Sequence, residues 1–177
     1  MSKTALIVID MINAYDHPDA ERLTESVERV LPRIQELIED SELTIYVNDN
    51  FGHWHSNRDD LVASALKGEY GRLIEPIRPN DDAIFVVKAR HSIFYQTPLE
   101  YLLNQEDVGN LVLVGQVTEQ CILYSALDAY IRHFKVRVPR DAVAHIHEDL
   151  ADAALKMMEV NMDVDVSPAR DRGYRPR

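Results

Sequence analysis

Residues 4–10 read TALIVID, an apolar run that ends on an aspartate. Further β-branched runs follow at intervals along the chain: TIYVN (44–48), AIFVVK (83–88), LVLVG (111–115), KVRVP (135–139) and VDVS (164–167). Most of these runs are apolar without alternation, which is typical of parallel strands that helices cover on both faces. The sequence therefore predicts a single-domain α/β fold, with βαβ units around a mostly parallel six-stranded sheet.

Stretches with the spacing of amphipathic helices separate these runs. The first of them has an apolar stripe made of Leu23, Val27, Val30, Ile34, Leu37 and Ile38. Pro32 lies within this stripe and is expected to kink or split the helix. Further helices are expected near residues 59–67, 98–104, 119–133 and 148–159. We expect the domain to span residues 1–167, followed by a basic tail at 168–177 that lacks apolar periodicity.

The composition narrows the possible partners. With 46% hydrophobic and 28% charged residues, the chain of 177 residues has the balance of a globular domain. A formal charge of -11 argues against nucleic acid as a partner, because an acidic surface repels phosphate. The only cysteine is Cys121, so no internal disulfide is possible and a reducing, cytoplasmic location is expected. The apolar run near the start is too short for a signal peptide or a membrane span.

Three reactive side chains stand at predicted strand ends. Asp10 ends the first run, Lys88 ends the third, and Cys121 lies six residues past Gly115 in the fourth. Each alone also suits a structural role, as a turn former, a surface lysine or a small buried thiol. In an open parallel sheet, however, ligands bind beyond the carboxyl ends of the strands. The three side chains together predict a site that contains a nucleophile, a proton carrier and a cation.

The turn GQVTEQC (115–121) places the thiol at the predicted start of a helix. Unpaired backbone amides and the helix dipole favour a thiolate there, which predicts a lowered pKa for Cys121. The same amides are suited to hold an oxyanion. Thr118 is expected to be the N-cap of this helix, with Glu119 adding negative charge to its first turn.

Three stretches carry a resemblance to a known family: ALIVIDMINAY (5–15), VVKARHSIFYQTPLEYLL (86–103) and LVLVGQVTEQCILYSALDAYIRHFKVRVPRDAVA (111–144). With this spacing the chain resembles the isochorismatase-like cysteine hydrolases, which include nicotinamidases and N-carbamoyl amide hydrolases. The resemblance implies a Rossmann-like three-layer sandwich, and it implies a catalytic triad of Asp10, Lys88 and Cys121. It further implies a cis peptide between Gln116 and Val117, an oxyanion hole formed by the amides of Val117 and Cys121, and a homo-oligomer, either a dimer or a tetramer.

The reaction that follows from this resemblance is cleavage of a C–N bond in a small amide or carbamoyl compound through a thioester, without a cofactor. Asp10 would take the proton of Cys121, and Lys88 would orient Asp10 and balance its charge. A vinyl-ether hydrolase of the isochorismatase type is one alternative, although such members have no cysteine at this position. A non-catalytic small-molecule-binding relative is another, and a thiol sensor is a third, weakened by the lack of a second cysteine.

The loop DNFGHWHSN (49–57) bears on whether a metal is used. Nicotinamidases hold a metal through an Asp-x-His pair and a further histidine, and that spacing is broken here. Because this spacing is broken, we expect no metal, with a site of Asp49, His53 and His55 as the alternative.

Several further side chains are candidates for the substrate pocket, with core packing as the alternative for some of them: Asn50, Phe51, Trp54, Phe94, Tyr95 and Tyr124. Arg90 and His91 follow Lys88 and are candidates to meet an acidic group of a substrate. Because side chains alternate along an extended segment, only one of the two is expected to point inward.

Overall fold

The computed structural model describes residues 2–169. Its strands are β1 (Lys3–Ile9), β2 (Thr44–Asp49), β3 (Ile84–Lys88), β4 (Val108–Gln116), β5 (Lys135–Arg137) and β6 (Val143–Ala144). They pair in parallel in the order β3-β2-β1-β4-β5, and β6 pairs with the end of β4. From β1 the chain proceeds outward through β2 and β3, and it then returns to the other side of β1 with β4 and β5. Because the strands are parallel, the carboxyl ends of β1, β3 and β4 lie at the same edge of the sheet.

The helices are α1 (Ala20–Asp40), α2 (Arg58–Lys67), α3 (Gly71–Ile74), α4 (Leu99–Gln105), α5 (Leu123–Ile131) and α6 (Glu148–Met162). A 3₁₀ turn at Glu75–Ile77 follows α3, and a π-helical turn at Thr118–Ile122 leads into α5. None of the helices within residues 2–169 has the length and apolar character that a membrane crossing requires.

Two hydrophobic clusters account for the unbroken apolar runs of the strands. In β1, Ala5, Ile7 and Ile9 pack into one cluster, while Leu6 and Val8 pack into the other. The first cluster includes residues of α4, α5 and α6, and the second includes residues of α1, α2 and α3. The sheet therefore has helices on both faces, and the predicted single α/β domain with a six-stranded parallel sheet is confirmed.

The predicted sixth strand is wrong, and of the two outcomes expected at Pro32, the split helix is wrong as well. Residues 164–167 contribute only a single bridge, from Asp165 to Arg137, and the sixth strand is instead Val143–Ala144. A two-residue strand is too short to show a periodicity in the sequence. The helix with Pro32 is not split, because α1 runs through it and buries apolar side chains on both sides of the proline, Val30 before it and Ile34 after it.

The predicted boundary at 167/168 is only partly covered by the described residues. Pro168 accepts a hydrogen bond from Arg137, and the amide of Ala169 donates one to Asp141. The remainder of the predicted basic tail, 170–177, lies outside the described residues.

Gly115 lies beside Ile9 where β4 runs against the end of β1. Its φ is +114°, and a Cβ added there would lie 2.2 Å from the carbonyl oxygen of Ile9. Gly52 also has a positive φ, +80°, but a Cβ added at Gly52 would meet no atom within 4 Å. Substitution of Gly52 therefore measures the free-energy cost of a positive φ alone, and substitution of Gly115 measures that cost together with the cost of the steric clash.

We expect Gly115→Ala to lower the free energy of unfolding by at least about 3 kcal/mol, because it combines a strained φ with a backbone clash. Gly52→Ala is expected to cost about 1 kcal/mol, since only the φ is unfavourable. Urea denaturation of both variants measures this difference. Equal losses in the two variants would contradict the close approach as the reason for Gly115.

Candidate active site

Lys88 lies at the centre of a group of polar side chains beyond the carboxyl ends of the strands. Its Nζ is 2.8 Å from Asp10 Oδ2, 3.3 Å from Asp49 Oδ2 and 3.6 Å from Cys121 Sγ. The side chain of Lys88 is fully buried, at 0% exposure, and Asp10 and Cys121 are buried as well. The structure thus brings the three predicted catalytic residues together and adds Asp49 as a second carboxylate on the ammonium.

Backbone hydrogen bonds hold Asp10 in position. It has the left-handed φ of +54°, which aspartate tolerates better than most residues. Its amide donates to the carbonyl of Val47, and its carbonyl accepts from the side chain of Gln116 at 2.6 Å. Asp10 Oδ1 accepts from the amide of Asp49 at 2.7 Å. The carboxylate is therefore fixed between the ends of β2 and β4.

Asn48 is a positioning residue that the sequence analysis missed. Its side chain is buried, accepts a hydrogen bond from the amide of Ile12 and donates one to the carbonyl of Ile12, both at 2.9 Å. This pair of bonds ties the segment after Asp10 to β2. The sequence does contain a sign of this role, because Asn48 and Asp49 form a polar pair at the end of an otherwise apolar strand, at the same edge of the sheet as Asp10.

Cys121 lies in the tight turn that follows β4. The peptide between Gln116 and Val117 is cis, and the carbonyl of Val117 accepts from the amides of Gln120 and Ile122. Thr118 is not the N-cap, because its hydroxyl donates to the carbonyl of Ala144 instead.

Glu119 serves the start of α6 rather than the turn before α5. Its Oε1 accepts from the amides of Ile146 and His147, at 3.0 and 2.8 Å. The carboxylate therefore satisfies donors at the beginning of another helix, one whose start lies close to this turn in space.

The predicted lowering of the thiol pKa is wrong. Burial, and after it the negative charge of Asp10, raise the pKa of Cys121, and the ammonium of Lys88 offsets only part of this effect. Burial also raises the pKa of Asp10, against the opposing influence of Lys88. Burial lowers the pKa of Lys88, but the negative charges of Asp10, Cys121 and Asp49 outweigh burial and raise it. The thiol and the carboxylate therefore compete for one proton beside a permanent cation.

A cavity of about 450 Å³ adjoins this group of side chains. Lys88 lines it, together with Asn50, Trp54, Arg90 and Tyr95. A second cavity of about 530 Å³ lies on the other side of the 49–57 loop, where Phe51 and His53 contribute to its wall. His53 lines both cavities, so this loop separates them.

The remaining aromatic candidates lie elsewhere. Phe94 is buried in the core, stacked on Phe134 with a ring-centroid distance of 5.8 Å, and it does not line the pocket. Tyr124 is half exposed and contacts the ring of His91. Of the pair Arg90 and His91, only His91 reaches the thiol, with Nδ1 3.6 Å from Cys121 Sγ.

The alternative metal site of Asp49, His53 and His55 does not form. Asp49 uses Oδ2 for Lys88 and Oδ1 to accept from the amide of Phe51. Among residues 2–169, no three His, Cys, Asp or Glu side chains come together in a way that would hold a metal ion. The residues after β2 therefore do not fit a metal site of the nicotinamidase kind.

Comparison with known proteins identifies the family of this chain. The profile of the isochorismatase domain matches residues 4–171. The chain belongs to the isochorismatase family. It is 32% identical over 165 residues to YaaI, an uncharacterised isochorismatase family protein of Bacillus subtilis, covering 90% of this chain and 91% of YaaI.

Two further relatives of this isochorismatase-family chain have named activities. Maleamate amidohydrolase of Pseudomonas putida is 26% identical over 165 residues, covering 86% of this chain and 78% of the relative. The crystal structure of N-carbamoylsarcosine amidase from Thermoplasma acidophilum superposes with a TM-score of 0.68 at 26% identity, covering 96% of this chain and 98% of that one. Both relatives are amidases by name.

We expect iodoacetamide to alkylate Cys121 with a pH midpoint above the value of about 8.5 that is usual for a free thiol, because burial and Asp10 raise the thiol pKa. Asp10→Asn should lower the midpoint, since it removes a neighbouring negative charge. Asp49→Asn is the matched control and should lower it less, because Asp49 contributes less to the shift. A wild-type midpoint below that of a free thiol would contradict the raised pKa.

Proposed function

We propose that this isochorismatase-family hydrolase cleaves the C–N bond of a small amide or carbamoyl compound through a thioester on Cys121. The observation that carries the proposal is the buried ammonium of Lys88, which contacts both the thiol and the carboxylate of Asp10. A nucleophile, a base and a fixed cation in contact are what acyl transfer requires. The amidase names of two relatives support the same reaction class.

Acylation needs one internal proton transfer. Asp10 takes the proton of the Cys121 thiol while sulfur attacks the substrate carbonyl carbon. Burial raises the pKa of both groups, so neither releases the proton readily to water and it stays within the pair. Lys88 contacts both partners and compensates the negative charge on whichever of them holds it.

Collapse of the tetrahedral intermediate completes the first half-reaction. The amides of Val117 and Cys121 hold the oxyanion, the C–N bond breaks, and protonated Asp10 gives its proton to the departing amine or ammonia. The products of this half-reaction are the free amine, a thioester on Cys121 and an ionised Asp10. Water then hydrolyses the thioester, releases the acid and restores the thiol.

The substrate is inferred to carry an anionic group. Arg90 lines the cavity that Lys88 also lines, and no carboxylate within residues 2–169 forms an ion pair with Arg90. A guanidinium without a protein partner in a small cavity suits a carboxylate, which it binds in bidentate geometry. Trp54 and Tyr95 supply apolar surface in the same cavity. Maleamate and N-carbamoylsarcosine, after which two relatives are named, each combine an amide-type carbonyl with a carboxylate.

We further infer that the protein is a cytoplasmic homo-oligomer. Its single cysteine suits a reducing compartment. Exposed apolar side chains on α5 and α6, among them Leu127, Ile131, Met157 and Val160, favour contact with a second copy. Light scattering measures the particle mass, and a monomer at micromolar concentration would contradict the oligomer.

We expect wild-type protein, quenched in acid during turnover of small amides, ureas and carbamates, to carry an acyl adduct on Cys121 by intact mass. Cys121→Ala should carry none, and Cys121→Ser should fold but lose turnover by at least about a thousandfold, since the hydroxyl is a poor nucleophile beside Asp10. Undiminished turnover in Cys121→Ala would overturn the thioester mechanism. It would favour hydrolysis without a covalent intermediate, as in the vinyl-ether hydrolases that have no cysteine at this position.

We expect Arg90→Met to raise KM for an amide that bears a carboxylate by about tenfold, the loss that corresponds to one charge-assisted hydrogen bond. The methyl ester of the same amide is the matched substrate, and its KM should change little. Arg90→Lys retains the charge but not the fork of donors and should give an intermediate value. Equal effects on acid and ester would exclude Arg90 as the carboxylate site.

A further inference from the structure

His91 contacts the nucleophile but has no part in acylation as described above. Its Nδ1 lies 3.6 Å from Cys121 Sγ, and its ring packs against Tyr124 with a centroid distance of 5.4 Å. The side chain of Lys88 also contacts the sulfur and is fully buried, whereas His91 is exposed. The sulfur of Cys121 therefore contacts both the buried ammonium of Lys88 and the solvent-accessible imidazole of His91.

The second half-reaction has a requirement that this arrangement meets. A water molecule must reach the thioester from solvent and lose a proton as it attacks. Asp10 is only 6% exposed, its Oδ1 accepts from the amide of Asp49, and its Oδ2 contacts Lys88. Asp10 thus has protein neighbours on both oxygens and little access to the solvent water that deacylation needs. Of the titratable groups in contact with the sulfur, His91 is the exposed one.

We propose that His91 is a further catalytic residue, the general base of deacylation. The proposal rests on the proposed thioester mechanism. Neutral His91 accepts a proton at Nδ1 as the water oxygen bonds to the thioester carbonyl carbon. The C–S bond then breaks, and the imidazolium returns the proton to the sulfur of Cys121. Water and thioester become acid and thiol, and both His91 and Asp10 end in their starting states.

Nδ1 can accept a proton only when the imidazole is neutral and carries its hydrogen on Nε2. The groups around it are Cys121 from the π-helical turn, Tyr124 from α5, Lys88 through the sulfur and Arg90 next in the chain.

The two half-reactions can be measured separately with p-nitrophenyl acetate on the full chain. Release of p-nitrophenolate reports acylation, and the decay of acetylated Cys121 by intact mass reports deacylation. His91→Gln should acylate at nearly the wild-type rate and deacylate about a hundredfold more slowly, so that the acetyl adduct accumulates. His147→Gln, at an exposed histidine outside the site, should match wild type.

Added imidazole provides a test that a merely structural role would not pass. It should restore deacylation of His91→Gly, where the side chain leaves space beside the sulfur, and leave wild type unchanged. Equal losses of acylation and deacylation in His91→Gln, or deacylation at the wild-type rate, would overturn the role of His91 while an adduct on Cys121 still supports the thioester. Wild-type protein that never acquires an adduct on Cys121, with p-nitrophenyl acetate or any amide, would overturn both proposals.

Discussion

The ammonium of Lys88 has no contact with bulk water, and the architecture of the site follows from the need to compensate its charge. Burial of an unpaired ammonium is very costly, so the fold must supply counter-charges within a few ångströms. The register of β2 and β3 sets Asp49 directly beside Lys88 in the sheet, and β1, on the other side of β2, ends just before Asp10. Three adjacent strands thus deliver one cation and two carboxylates to a single point, and β4 adds the thiol.

The buried charges are better explained by chemistry than by stability. Replacing a buried ion pair by apolar side chains of similar volume is often neutral or stabilising, because the desolvation cost disappears together with the attraction. Lys88, Asp10 and Asp49 therefore contribute little that a hydrophobic cluster would not. In the proposed mechanism, they allow a proton to move between the sulfur and the carboxylate beside a fixed positive charge, in surroundings that keep water from competing for it.

The sequence was sufficient to predict the parallel sheet and the convergence of Asp10, Lys88 and Cys121, because strand ends are visible in unbroken apolar runs. It was misleading about the thiol pKa. A helix start influences the thiol only through local backbone groups. Burial and the charge of Asp10, which is distant in sequence, have the larger effect on the pKa of Cys121. Thr118 failed as an N-cap for a similar reason, since its partner Ala144 comes from β6. A two-residue strand carries no periodic signal, so neither β6 nor its effect on Thr118 could be anticipated.

Asp49 shows how one local geometry decides between two kinds of site. The carboxylate at the end of β2 is a possible metal ligand by its chemistry, but one of its oxygens contacts Lys88 and the other accepts a hydrogen bond from the amide of Phe51. Both oxygens of Asp49 therefore have partners within the protein. His53 lines the two cavities on either side of the loop and does not join Asp49 in a ligand set. In the proposed mechanism, backbone amides near Cys121 therefore polarise the substrate carbonyl. In the proposed mechanism, the buried Asp10 and Lys88 activate the sulfur of Cys121, and the exposed imidazole of His91 assists its release from the acyl group.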